Sequence, residues 1–181
     1  DIKYILLTHW HNDHTEATRA MVDLSGAKTL LGHNDVEKAK PYVDPDVLIK
    51  DGDTLTLGNT TIRFMETPGH TKGTVSFFFD TEDNGKTYRV GMFGGAGANT
   101  LAQRHFDYDG CREGYRNSLN RLRKEKVDVF IGNHVWNNDT AVKGELLLKT
   151  GENKFIDPAL WGEFLDFCEK RLDEVIAKDM H

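Results

Sequence analysis

The chain has 181 residues, 38% hydrophobic and 29% charged, a composition typical of a globular protein and not of a disordered or fibrous chain. Its length fits one domain, which we assign to residues 1–181. The formal net charge of −6 and the lack of a dense basic patch argue against nucleic acid as a partner, and no apolar run is long enough to span a membrane.

The amino-terminal part of the chain predicts alternating strands and helices. Residues 2–7 read as a buried strand that is already under way at the first residue, so we expect earlier strands to be missing. A helix capped by Thr15 has one apolar face and ends at Gly26. The next two predicted elements are a strand over residues 28–31 and a helix over residues 34–40, which ends before a proline.

The middle of the chain is rich in strand signals, and the end is helical. Turn residues separate the predicted strands, which cover residues 54–57, 60–66, 74–80, 87–93 and 127–131. The segment Glu82-Asp83-Asn84-Gly85 predicts a hairpin turn. Predicted helices cover residues 112–126 and about 158–178. This order indicates layered α/β architecture with polar loops at the strand ends.

Two cysteines, Cys111 and Cys168, lie far apart and form no C-x-x-C pair. This excludes a cysteine zinc knuckle and a disulfide-dense scaffold. We expect two half-buried thiols on helices.

The segment His9-Trp10-His11-Asn12-Asp13-His14, directly after the first predicted strand, is dense in metal-ligand residues. Imidazole and carboxylate are the usual nitrogen and oxygen ligands of zinc. In a loop beyond a strand, the alternate residues His9 and His11 can converge on one ion. Asp13 and His14, at the turn into the helix, can then face a second ion.

Two further histidines also follow predicted strands: His70 after residues 60–66, and His134 after residues 127–131. Together with the first cluster they supply the ligands that two ions still lack. The other histidines, His33, His105 and His181, have no such support in the sequence.

These segments, with Pro68-Gly69-His70-Thr71-Lys72-Gly73, resemble the metallo-β-lactamase superfamily over most of the chain, up to about residue 140. The resemblance implies an αββα sandwich with two Zn²⁺ ions at one edge of two facing sheets. It implies ligands for the first zinc at His9, His11 and His70, and for the second at Asp13, His14 and His134.

Two features depart from the family pattern. Members usually have a β-rich segment before the first motif, and this sequence lacks those N-terminal strands. Many of the hydrolases also have an aspartate that bridges both metals, where this chain has Ala96. The closest resemblance is therefore to the β-lactamase branch whose second zinc is held by Asp and two His without Cys. That branch commonly has a serine near this position to bind the substrate carboxylate, which Ala96 and Ala98 cannot replace.

The sequence therefore predicts a zinc-dependent hydrolase that uses a metal-bound hydroxide to cleave an amide or lactam bond of a small molecule. Asp13 is the candidate catalytic residue, because it can hold the second ion and orient the nucleophile. Candidate substrate contacts are Trp10, Lys72, Asn133 and Trp136.

Two alternatives remain open: hydrolysis of another ester or amide with the same ions, and a metal-binding module without turnover. If strands are missing, the exposed sheet would allow self-association. A β-lactamase-like function would imply a periplasmic or secreted protein.

Overall fold

Two β-sheets face each other in the computed structural model, which describes residues 1–180. The first sheet is parallel, in the order β1-β2-β3, with strands β1 (Tyr4–Leu6), β2 (Lys28–Gly32) and β3 (Val47–Ile49). The second has the order β4-β5-β6-β7-β8 and contains β4 (Thr54–Leu57), β5 (Thr60–Glu66), β6 (Val75–Asp83), β7 (Lys86–Met92) and β8 (Val129–Phe130). Strands β4 to β7 are antiparallel, and β8 joins β7 in parallel.

Six α-helices connect or follow these strands in residues 1–180. They are α1 (Asn12–Thr15), α2 (Thr18–Ser25), α3 (Val36–Ala39), α4 (Cys111–Leu122), α5 (Thr140–Thr150) and α6 (Ala159–Asp179). Short 3₁₀ turns precede α3 and α4. Within the described part of the chain, no helix combines the length and the apolar character needed to cross a membrane.

Three apolar clusters give the layers of the fold. Leu30 and Ile49 of the first sheet meet Phe64 and Val75 of the second between the two sheets. A second cluster lies on the outer side of the first sheet, where Leu31 packs against the α3 region. The largest cluster packs α4 and α6 on the outer side of the second sheet. This αββα arrangement confirms the predicted fold class.

The fold places the ends of separate strands at one edge. The loop after β1 is joined to the start of β6 by a hydrogen bond from the Val75 amide to the Thr8 carbonyl, 2.9 Å. The segments after β5, β7 and β8 reach the same edge and carry His70, the loop from Gly94 to Ala98, and His134. The polar clusters predicted at strand ends therefore converge.

Several predicted boundaries are wrong for identifiable reasons. Thr15 does not cap the second helix: it ends α1 and donates its hydroxyl proton to the carbonyls of Trp10 and His11, and Ala17 precedes α2. The hairpin turn is two residues long, because Asn84 and Gly85 both adopt positive φ, 51° and 75°, and the strands pair up to Asp83 and Lys86.

Further differences concern short or exposed elements. The sequence did not predict β3 or α5. Cys111 and Cys168 lie on helices as free thiols, as expected, but both are fully buried rather than half-buried. Part of the first sheet is open to solvent, since Val47 and Leu48 are 40% and 47% exposed.

Candidate metal centre

Three histidines from two loops form the first donor group (His9, His11 and His70). One ring nitrogen of each lies within 4.8 Å of the others. The Nδ1 atom of His11 is 3.0 Å from the Nε2 atom of His70. Two ring nitrogens at this distance both aim at the same small volume, which is the arrangement that a shared cation needs.

Backbone carbonyls fix the orientation of two of these rings. Nδ1 of His9 lies 3.0 Å from the Gly94 carbonyl, and Nδ1 of His70 lies 2.7 Å from the Gly97 carbonyl. Because a carbonyl oxygen only accepts, Nδ1 donates in both rings and Nε2 keeps its lone pair. Nε2 of His9 is buried and has no hydrogen-bond partner in residues 1–180.

The second donor group (Asp13, His14 and His134) lies beside the first. Its three ligand atoms also lie within 4.8 Å of one another. Oδ2 of Asp13 is 3.4 Å from Nε2 of His14 and 3.9 Å from Nε2 of His134. The His9 and His14 rings are 4.2 Å apart between centroids, which makes the two groups adjacent.

Burial favours the neutral form of four of these imidazoles, those of His9, His11, His14 and His70. It lowers the pKa of His9 well below its usual value and lowers the pKa of His70 to about 4, and neighbouring imidazoles add to both effects. Burial is also the largest cause of the lowered pKa of His11 and His14. A neutral imidazole offers the lone pair that a metal requires, whereas a protonated one does not.

The residues therefore fit zinc. Three imidazoles in one group, and two imidazoles with a carboxylate in the other, are donor sets that zinc accepts. The buried Nε2 atoms of His9 and His14 have no hydrogen-bond partner in the described chain, which is costly unless a ligand occupies the space between the groups.

Buried Asp35 joins the two ligand loops. Its carboxylate accepts hydrogen bonds from the Trp10 amide at 3.0 Å, the Thr71 hydroxyl at 2.7 Å and the Gly73 amide at 2.6 Å. Trp10 lies between two ligands, and Thr71 follows a third. Asp35 is fully buried, so these bonds are shielded from water.

Asp107 makes a second connection between the loops. Its carboxylate accepts hydrogen bonds from the indole nitrogen of Trp10 at 3.1 Å and from the Lys72 amide at 3.1 Å. Lys38 forms an ion pair with the same side chain at 2.5 Å, and only 3% of the Asp107 side chain is exposed. Sequence reasoning found neither Asp35 nor Asp107, because an isolated aspartate far from the ligand motifs carries no local signal.

Gly69 allows the His70 loop to pass close to α4. Its φ of +146° and the position of a built Cβ, 2.6 Å from the Cα of Tyr115, leave no room for a side chain. The Ser118 hydroxyl then donates to the Pro68 carbonyl at 2.7 Å. The loop is held against the helix that follows the long glycine-rich segment.

The donor groups open into a cleft of about 870 Å³. Asn133 and Trp136, two predicted substrate contacts, line it. Trp136 stacks on the His134 ring with centroids 4.2 Å apart, and the Asn133 amide donates to the Gly94 carbonyl at 2.8 Å.

The other two predicted contacts do not line this cleft. The Trp10 ring nitrogen and the Lys72 amide both donate to the Asp107 carboxylate. Their contact with substrate stays a prediction. Ala96 and Ala98 do line the cleft, and neither offers a carboxylate or hydroxyl group there.

The histidines without support in the sequence lie apart from both donor groups. His33 contacts Glu66, with 2.8 Å between Nδ1 and Oε1, and His105 is exposed. His181 falls outside the described residues.

Residues 1–134 match the family model described as "Metallo-beta-lactamase superfamily". The chain belongs to this superfamily. The resemblance recognised in the sequence is thus confirmed, and the chain is a member of a group of metal-dependent hydrolases whose members bind zinc.

Similar solved structures extend the match to nearly the whole chain. The subclass B3 metallo-beta-lactamase BJP-1 of Bradyrhizobium japonicum is 27% identical with a TM-score of 0.91, covering 99% of this chain and 74% of that one. FEZ-1 from Legionella gormanii is 25% identical with a TM-score of 0.89, covering 98% and 75%. These structural neighbours therefore support the predicted resemblance to the β-lactamase branch whose second zinc is held by Asp and two His without Cys.

Curated relatives from the superfamily include proteins named hydroxyacylglutathione hydrolase, whereas the solved structures above are named β-lactamases. The hydroxyacylglutathione hydrolase of Methylococcus capsulatus is 31% identical over 128 residues, covering 71% of this chain and 46% of that protein. The enzyme of the same name from Chelativorans sp. is 39% identical over 75 residues, covering 41% and 28%. The chain thus spans less than half the length of these relatives.

Proposed function

We propose that this superfamily member is a zinc-dependent hydrolase that cleaves an amide or lactam bond of a small molecule. The observation that carries the proposal is the pair of adjacent donor groups, with Ala96 rather than a bridging carboxylate at the cleft. The similarity to subclass B3 β-lactamases supports the same choice.

His9, His11 and His70 would hold one zinc, and Asp13, His14 and His134 the other. Bound zinc lowers the pKa of water to about 7 and so supplies a nucleophile at neutral pH. The carbonyls of Gly94 and Gly97 keep the His9 and His70 rings in the tautomer that binds metal.

Asp13 is the proposed catalytic residue. Its side chain is 55% exposed, more than the His14 and His134 side chains of the same donor group, so its second oxygen can reach both substrate and water in the cleft. We assign it a hydrogen bond from the attacking water, which would orient that water toward the scissile carbonyl. Asn133 and Trp136 would contact the substrate on the same side.

A second candidate is hydrolysis of a thioester or another ester, which the names of the curated relatives favour. Both reactions need the same donor groups and differ in the leaving atom, nitrogen in one and sulfur or oxygen in the other. Measuring turnover of an amide or lactam substrate and of a thioester substrate distinguishes the two reactions.

The test is a comparison of zinc-loaded and chelator-treated protein on a chromogenic cephalosporin and on a hydroxyacylglutathione thioester. We expect turnover of the cephalosporin that chelation removes and added zinc restores. Turnover of the thioester alone would replace the amide assignment with the second candidate. Two zinc ions per chain with turnover of neither compound would contradict the proposed amide or lactam cleavage and would point to another substrate.

A further inference from the structure

We infer that the wall of the cleft opposite the donor groups is a binding site for an apolar acyl or aryl group of the substrate, with Phe167 as a specificity-determining residue. This inference rests on the proposed hydrolase function, because it names the substrate class of the same cleft. It predicts a substrate selected by apolar area and not by a carboxylate.

The wall is continuous with the metal centre. One cleft of about 870 Å³ is lined by His14 and His134 on one side and by residues of α6 on the other. A molecule with its scissile bond at the donor groups therefore extends along α6. This volume is within the range of pockets that bind drug-sized ligands.

Aromatic side chains form this wall. Phe130, at the end of β8, packs on Phe164 of α6 with ring centroids 4.4 Å apart, and Phe164 stacks on Phe167 at 6.4 Å. The first two rings are buried, whereas Phe167 is 56% exposed. Trp136, beside His134, is 69% exposed and lines the same cleft. Two large apolar surfaces are thus left open to solvent within the cleft, which is a recognised sign of a binding site.

The loop after β7 adds two apolar side chains to the lining of the cleft. Ala96 and Ala98 line the cleft, and their side chains are methyl groups that cannot donate a hydrogen bond to a carboxylate. The Cys168 thiol at the base of the cleft stays neutral, since burial raises its pKa to about 12.

Charged residues at the cleft do not provide an alternative basis for selection. Lys143 and Arg171 are accompanied by Asp139 and Glu163 on the same lining, so both signs are present. Arg171 is further engaged with Glu174, 2.6 Å between Nη1 and Oε2. These groups balance one another, and the apolar wall is left as the distinguishing surface.

The test uses binding, so it does not require turnover. Acetate, butyrate, hexanoate and octanoate are titrated into the zinc-loaded protein by calorimetry, with each carboxylate serving as a product-like probe. We expect the affinity to rise about twofold to fourfold per added methylene, the range for partial to full burial of a CH₂ group. Phe167→Ala should flatten this rise, because it removes the exposed aromatic ring that α6 presents to the cleft, while leaving the zinc content unchanged.

Leu148→Ala is the matched control, since Leu148 is 90% exposed on α5 and does not line the cleft. It should leave the chain-length dependence intact. An affinity that does not change from butyrate to octanoate, or an equal rise in wild type and Phe167→Ala, would overturn the inference. If the affinity rises steeply with chain length but no substrate is hydrolysed, the inferred binding site would stand and the proposed function would be contradicted.

Discussion

Replacement of His11 by alanine is expected to lower zinc affinity by at least about 100-fold, since changes to groups that only support a ligand already cost 10–100-fold. Hydrolysis should fall below detection. The reason is geometric: Nδ1 of His11 lies 3.0 Å from Nε2 of His70, so its loss leaves the first donor group with two nitrogens. Competition with a chromophoric chelator measures the affinity, and cephalosporin turnover measures the activity.

His33→Ala is the matched control for this experiment. His33 is also a histidine near a strand end, but it pairs with Glu66 and belongs to neither donor group. Its replacement should change zinc affinity and turnover by less than about twofold, the usual size of effects away from a site. Equal effects of the two substitutions would contradict the assignment of His11.

Asp35→Ala is expected to destabilise the fold by about 3 kcal/mol or more, because it removes the shared acceptor of three hydrogen bonds that join the two ligand loops. The donors are the Trp10 and Gly73 amides and the Thr71 hydroxyl, which belong to the two ligand loops. Urea denaturation of the metal-free protein measures the loss. Asp23→Ala, at an exposed position of α2, should stay within about 0.5 kcal/mol of wild type.

Asp35→Asn separates the charge of this residue from its hydrogen bonds. Burial raises the pKa of Asp35 to about 6, against the three hydrogen bonds that lower it. Because the pKa of Asp35 is higher in the folded state than in the unfolded state, protonated Asp35 adds to the free energy of unfolding. This contribution is full below about pH 4 and is lost as the pH rises through 6. Asparagine does not titrate, so this part of the pH dependence should vanish in the variant. An unchanged stability profile in Asp35→Asn would show that another group titrates.

The strands with clear alternation and flanking turns could be predicted from local sequence. Residues 54–57 and 60–66 were predicted with their observed bounds, because Gly58-Asn59 separates them. Strand β3 could not be predicted from local sequence, because its three residues form a strand only through parallel pairing with β2. Helix α5 is not predicted because its apolar residues are spread around the helix and do not form one face, and none of its residues is buried.

The donor residues could be predicted because their side-chain chemistry is itself the signal. The groups that orient these donor side chains could not be predicted from the sequence. The acceptors for His9 and His70 are backbone carbonyls of Gly94 and Gly97, which any sequence would provide. Asp35 and Asp107 act across long sequence separations, and their positions follow from the packing of whole loops.

We propose that two zinc ions lie side by side between the strand-end loops of this protein. Anomalous diffraction at the zinc edge from crystals of the zinc-loaded protein tests it most directly. We expect two peaks per chain, one about 2.0–2.1 Å from nitrogens of His9, His11 and His70, the other in contact with the second donor group. A single peak, or peaks that leave His70 or His134 beyond coordination distance, would contradict it.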